Sequence, residues 1–192
     1  MRWCESLRPE RVRSAEARRE PRRVQVGSEP SSKRFRFRPG FSLPPVDFVC
    51  ERPWARMGGN GTFIQLDGTD NKSGMYLVEV PASGALKPER HLYEEQFLVI
   101  EGRGSTEVWV EGADTRHAFE WQPGSVFSAP MNTWHRLVNA RSAPALILAV
   151  TTAPITMNLL PSYDFIFNSP FVWRDRFDGQ PDYFKPREEL EP

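Results

Sequence analysis

Between residues 62 and 152 the hydrophobic positions recur mainly with a period of two, in short runs separated by turn residues. The pattern predicts strands at Thr62–Leu66 (TFIQL), Gly74–Val80 (GMYLVEV), Glu95–Glu101 (EQFLVIE), Ser105–Val110 (STEVWV), Ala118–Trp121, Ser125–Ala129, His135–Asn139 and Ala145–Thr152 (ALILAVTT). Between them lie strong turn signals: Gly58-Gly59-Asn60-Gly61 ahead of the first, Gly102-Arg103-Gly104, Glu111-Gly112-Ala113-Asp114 and Gln122-Pro123-Gly124. Short strands at close, regular spacing predict an all-β fold, an antiparallel sandwich or barrel.

The flanks lack this pattern. Residues 1–40 are rich in Arg, Glu, Ser and Pro, with almost no apolar periodicity, and are expected to form a disordered basic arm. Residues 41–156 make the β domain, entered through a Pro-rich stretch. Residues 157–192 form an extension carrying eight aromatic residues, Tyr163, Phe165, Phe167, Phe171, Trp173, Phe177, Tyr183 and Phe184. So many rings in a short span require burial on the barrel, on a second copy or on another domain.

Composition changes this picture in three places. Eighteen prolines and thirteen glycines argue against a helical bundle. The chain is neutral, yet residues 1–38 hold twelve Lys or Arg against five Glu, a net of +7 that the remainder balances with −7. The basic excess therefore belongs to the arm. Such an arm can contact nucleic acid, but no helix-turn-helix pattern accompanies it and nucleic acid is not expected as a partner. Two isolated cysteines, Cys4 and Cys50, form neither a disulfide framework nor a CxxC pair, which points to a reducing, cytoplasmic compartment. No apolar run is long enough to cross a membrane as a helix.

Candidate chemistry gathers in two stretches, Gly84–Gly102 and Gly124–Asn139, which hold two of the three histidines, His91 and His135. Glu95 follows His91 by four residues. If strand geometry extends back through the preceding loop, Glu89, His91 and Glu95 share a face with Phe97 and Val99, and His135 shares one with Leu137 and Asn139. Two imidazoles and a carboxylate are a suitable shell for one divalent metal. Taken singly, each histidine reads better as a surface or hydrogen-bonded residue, and Glu95 beside Glu94 as a solvated charge; it is the joint pattern that points to a site. His117 lies in a polar stretch (DTRHAF) and reads as surface.

The two stretches together resemble the motifs of the cupin superfamily, G-x5-H-x-H-x3,4-E-x6-G and G-x5-P-x-G-x2-H-x3-N. Gly124, Pro130, His135 and Asn139 match the second at the family's spacing, with Asn132 in place of its second glycine. His91, Glu95 and Gly102 match the first; Glu89 stands where that motif has its first histidine, and Gly84 sits one residue nearer than the pattern asks. The resemblance covers residues 62–152 and implies a double-sheet jelly-roll barrel. It also implies His91, Glu95 and His135 as metal ligands, with Glu89 a candidate fourth; in the alternative, Glu89 faces solvent.

A shell with two carboxylates favours a harder ion, Fe or Mn, with Zn, Ni or Cu also compatible. The expected activity is that of a metal-dependent oxidoreductase of dioxygenase type acting on a small organic acid, with Phe97, Val99, Phe127 and Trp134 as candidate walls. No separate acid or base is identifiable by spacing, although Tyr93 and Glu94 lie near the mouth. The alternative is a non-catalytic cupin, either a scaffold or a small-molecule binding module. The aromatic extension further suggests the N-terminal half of a bicupin, with a second cupin domain or a homodimer covering it.

Overall fold

A computed structural model of the chain describes residues 37–40, 53–66, 72–160, 162–180 and 183. The expected arm over residues 1–36 lies outside them. The strands are β1 (Phe37–Gly40), β2 (Pro53–Trp54), β3 (Gly59–Leu66), β4 (Gly74–Val80), β5 (Gly84–Ala85) and β6 (Glu95–Glu101). They continue as β7 (Gly104–Trp109), β8 (His117–Trp121), β9 (Val126–Ser128), β10 (Trp134–Asn139) and β11 (Ala145–Thr151), followed by helices α1 (Ala153–Leu159) and α2 (Tyr163–Asn168).

Two sheets face each other. One runs β1-β3-β4-β11-β6-β9, with β2 also paired to β3; the other runs β5-β10-β7-β8. All pairings between named strands are antiparallel except β1 with β3. This is the expected double-sheet all-β fold. Strand alternation sets the inside: in β6, Glu95, Phe97 and Val99 are buried while Gln96 and Leu98 are exposed, and in β10 His135, Leu137 and Asn139 are the buried members. The core between the sheets includes Phe63, Tyr76, Val78, Phe97, Val99, Ile147 and Ala149 from the first and Trp121 and Leu137 from the second. Chain reversal after β6 needs Gly102 at φ +88°, where a Cβ would also strike Ala145.

Four expectations change. The first strand of the periodic region begins at Gly59 rather than Thr62, so the GGNG turn is partly strand. The arm expected to be disordered over residues 1–40 ends in β1, which pairs parallel with Phe63–Leu66 of β3. His117, expected at the surface, opens β8, paired with Val108, and its half-buried ring lies edge-on to Phe177. Finally, two short helices follow β11, and α1 straddles residue 156. Pro154 suits the first turn of α1, and the Ser162 hydroxyl accepts from the Phe165 amide to start α2.

The aromatic extension packs in part on its own barrel. Ile166 and Met157 are buried with Tyr93, and Phe177 is buried against Val108 and Val110. Phe165 and Phe171 stay exposed.

Candidate metal centre

The site lies where one end of β6 meets the start of β10, between the two sheets. Glu95 is the first residue of β6 and projects inward from one sheet; His135, second in β10, projects from the other. Glu89 forms an isolated antiparallel bridge with His135, its amide donating to the His135 carbonyl at 3.0 Å and its carbonyl accepting from the His135 amide at 2.9 Å. The loop back to β6 then brings in His91. Its carbonyl accepts from the Asn132 amide at 3.0 Å. Asn132 occupies the left-handed region at φ +59°, a conformation that asparagine tolerates better than most residues. Asparagine therefore serves at the turn position where the cupin motif has glycine.

One ligand atom from each of Glu89, His91, Glu95 and His135 lies within 4.8 Å of the others. Ligands bonded at about 2.0–2.2 Å to one ion span at most roughly 4.4 Å, so small inward shifts suffice. His91, Glu95 and His135 are each 3% exposed, and Glu89 is half-buried. The alternative that Glu89 faces solvent does not hold: one carboxylate oxygen pairs with Arg56 Nη1 and the other lies 4.0 Å from His135 Nε2.

Both histidines are oriented alike. His91 Nδ1 faces the Tyr93 carbonyl at 2.9 Å and His135 Nδ1 faces the Thr133 carbonyl at 3.1 Å. A carbonyl can only accept, so each Nδ1 carries a proton and each Nε2 is the atom turned inward, where a neutral ring offers a lone pair. His135 Nε2 and Glu95 Oε1 are buried without a hydrogen-bond partner, and His91 Nε2 meets Glu95 Oε2 at 3.1 Å. Inward lone pairs and carboxylate oxygens need a shared cation, either protons or a metal, to be satisfied. The donor set fits a divalent ion. Backbone-fixed Nδ1–H groups of this kind also orient the rings of ligating histidines.

Electrostatics agree. Burial pulls the His135 pKa down to about 4, and the nearby His91 charge adds to this. Burial alone would raise Glu95, but the charge of His91 and the hydrogen bond to it, helped by His135 and Arg56, bring its pKa below the ordinary value. Burial thus favours a neutral His135, and the positive charge beside it favours an ionised Glu95; a metal ion would supply that positive charge itself.

Two residues at the site carry no signal in the sequence. Arg56 precedes β3, in a turn without periodicity. Tyr76, on the inward face of β4, reads like its core neighbours Val78 and Val80; burial and then the Glu95 charge hold its hydroxyl well above the usual tyrosine pKa. Tyr93, near the mouth in the sequence reading, is buried and stacks on His91 at 3.6 Å between ring centres, whereas Glu94 is exposed. Trp134 leaves the wall: it stacks on Trp109 and under Arg90, outside the cluster. Phe97 lines it, 6.3 Å from the His135 ring, with Phe127 stacked behind. The C-terminal segment covers the site. The Leu92 amide donates to the Ile166 carbonyl, Arg90 to that of Asn168, and Asn132 Nδ2 to those of Ser169 and Phe171.

The family model for the cupin domain matches residues 76–151, which contain all four clustered residues. No curated protein matches the chain. Among solved structures, an oxalate decarboxylase from Lactobacillus farciminis is 21% identical with a TM-score of 0.46; the match covers 54% of this chain and 30% of that one. This chain therefore spans less than a third of that enzyme. A Cupin 2 conserved barrel domain protein from Salinispora arenicola is 18% identical with a TM-score of 0.45, covering 57% of this chain and 87% of that one. Vicilin from tomato, Solanum lycopersicum, is also 18% identical, with a TM-score of 0.43 and coverage of 54% and 31%. From the family match, the paired motifs and the two-sheet architecture, the barrel of this chain is a cupin domain.

Proposed function

We propose that this cupin domain binds one divalent metal ion through His91, Glu95, His135 and Glu89, and acts as a dioxygenase-like oxidoreductase on a small organic acid. The observation that carries the reading is the convergence of two histidines and two carboxylates, one ligand atom of each within 4.8 Å of the others, with His135 Nε2 and Glu95 Oε1 buried and unpartnered. When bound, Fe or Mn would supply Lewis acidity and redox chemistry. The protein's part is to hold the ligand tautomers through the Tyr93 and Thr133 carbonyls, and to exclude water with Phe97, Tyr93 and the C-terminal cover. Tyr76 keeps its hydroxyl proton beside Glu95 and can donate a hydrogen bond to a bound substrate.

The test is metal content per chain by mass spectrometry for wild type and His135→Ala, followed by oxygen-uptake screening with small organic acids. Near-stoichiometric iron or manganese, lost in the variant, with uptake for one acid, is the expected result. No metal after reconstitution defeats the metal reading. Metal without turnover leaves a binding module or scaffold. That second reading is favoured by one observation: Glu89, standing where the motif has histidine, is already engaged by Arg56.

A further inference from the structure

Arg56 sits in the turn between β2 and β3, and its side chain is 13% exposed. Nη1 pairs with Glu89, while Nε and Nη2 are buried with no hydrogen-bond partner. The guanidinium carbon lies 5.1 Å from the Phe167 ring centre and 5.5 Å from that of Trp54. A buried guanidinium with unsatisfied donors is costly, since stacking on aromatic rings does not replace the lost hydrogen bonds. The two unpartnered nitrogens form the Nε–Nη2 edge, the fork that matches a carboxylate with two parallel hydrogen bonds.

Charge narrows the ligand. Glu89 and Glu95 contribute two negative charges and Arg56 one positive; a divalent ion would leave the site at about +1 on formal charges alone. A monoanion neutralises that charge, whereas a dianion overshoots it in a water-poor setting.

We infer that Arg56 is the specificity-determining residue of this site, and that its free edge binds the carboxylate of a small monocarboxylic acid lying beneath Phe167. The inference rests on the proposed metal-dependent reading and names its substrate class, but the Arg56 fork is an independent element. In the resting protein Phe167 covers the guanidinium, so entry requires displacement of the α2 cover. Glu89 keeps Nη1 occupied and thereby fixes which edge faces the ligand.

The experiment is calorimetric titration of full-length protein, metal-free and reconstituted with Mn(II), using lactate, pyruvate and benzoate. Malonate, inorganic phosphate and the methyl ester of benzoate serve as comparisons, and metal content is measured on every sample. Wild type should bind a monocarboxylate more tightly than malonate, phosphate or the ester. Arg56→Ala should weaken binding about 10–100-fold, the loss expected of a charge-assisted pair, with metal content unchanged. Arg56→Lys keeps the charge and guards against misfolding of the alanine variant, and should still lose at least about 10-fold for want of the fork.

Equal affinity in wild type and Arg56→Lys would overturn the inference. So would equal binding of phosphate, or a loss in Arg56→Ala explained by lost metal. If wild type takes up no metal, the metal reading fails separately. Arg56-dependent carboxylate binding in the metal-free protein would then still support the fork, and its absence would refute it.

Discussion

The two ends of the ligand set present the same side chain in opposite settings. Glu95 opens β6, is buried, and faces His91 and the Tyr76 hydroxyl with one oxygen left unpartnered. Glu89 lies on the bridge to β10, is half-buried, and is held by a guanidinium. One carboxylate has been stripped of alternatives and faces the cluster. The other has a partner already and can reach His135 without giving it up. A ligand position is therefore defined less by residue type than by what competes for the residue.

This contrast predicts unequal consequences. Glu95→Gln should weaken Mn(II) binding by more than the roughly 10–100-fold typical of lost outer-shell partners. Glu89→Gln should cost about 10-fold or less on the same scale. Competitive titration against a chelator measures both, and equal losses would erase the distinction.

The next effect is on stability against pH in metal-free protein. The His135 pKa is about 4 when folded, against about 6.5 when unfolded, so the unfolded chain binds the extra proton. Folding is undisturbed above about pH 6.5 and loses up to about 3 kcal/mol as pH falls to about 4. Glu95, lowered in the fold, adds its own loss below the ordinary carboxylate pKa. Urea midpoints across this range should show the slope, and His135→Gln should flatten its upper part. A flat wild-type profile would deny the neutral-imidazole setting.

A smaller change should follow Asn132→Ala, which removes side-chain bonds to the Ser169 and Phe171 carbonyls and leaves alanine at φ +59°. About 1–3 kcal/mol of destabilisation is expected. Hydrogen exchange should show faster opening over residues 162–171. If protection there is unchanged, the cover does not depend on this anchor.

The smallest effect belongs to the surface counterpart of the Arg56–Glu89 pair. Arg116 approaches Glu107 at 3.2 Å with about half of its side chain exposed, and Glu107 keeps two hydrogen bonds from Arg136. Arg116→Ala should shift stability by no more than about 0.5 kcal/mol. A larger shift would show that exposure is not what separates the two pairs.

The strands were legible because each sheet buries one face, which writes a period of two into β6, β10 and β11. His91, Glu95 and His135 were legible as candidates because motif spacing survives in them. Glu89 was placed by parity, but its competitor was hidden: Arg56 is 33 positions away, in a turn with no pattern to mark it. The helices escaped because seven and six residues are too few to show a 3.6-residue stripe. Tyr76 escaped because a buried tyrosine on a strand looks like core until its neighbours are known.

The backbone bond from Leu92 to Ile166 joins positions 74 residues apart, and those from Asn132 reach 37 and 39 residues ahead. The β4–β11 pairing of the barrel is as long-range, from Ala145 with Val80 to Thr151 with Gly74, so sequence distance does not set the cover apart; what does is that it hangs on a few bonds rather than on a strand ladder. Until those few bonds form, an ion has free access to the cluster, whereas one added to the finished protein must wait for α2 to unlatch. Metal uptake should accordingly be faster when the ion is present during refolding than when it is added afterwards.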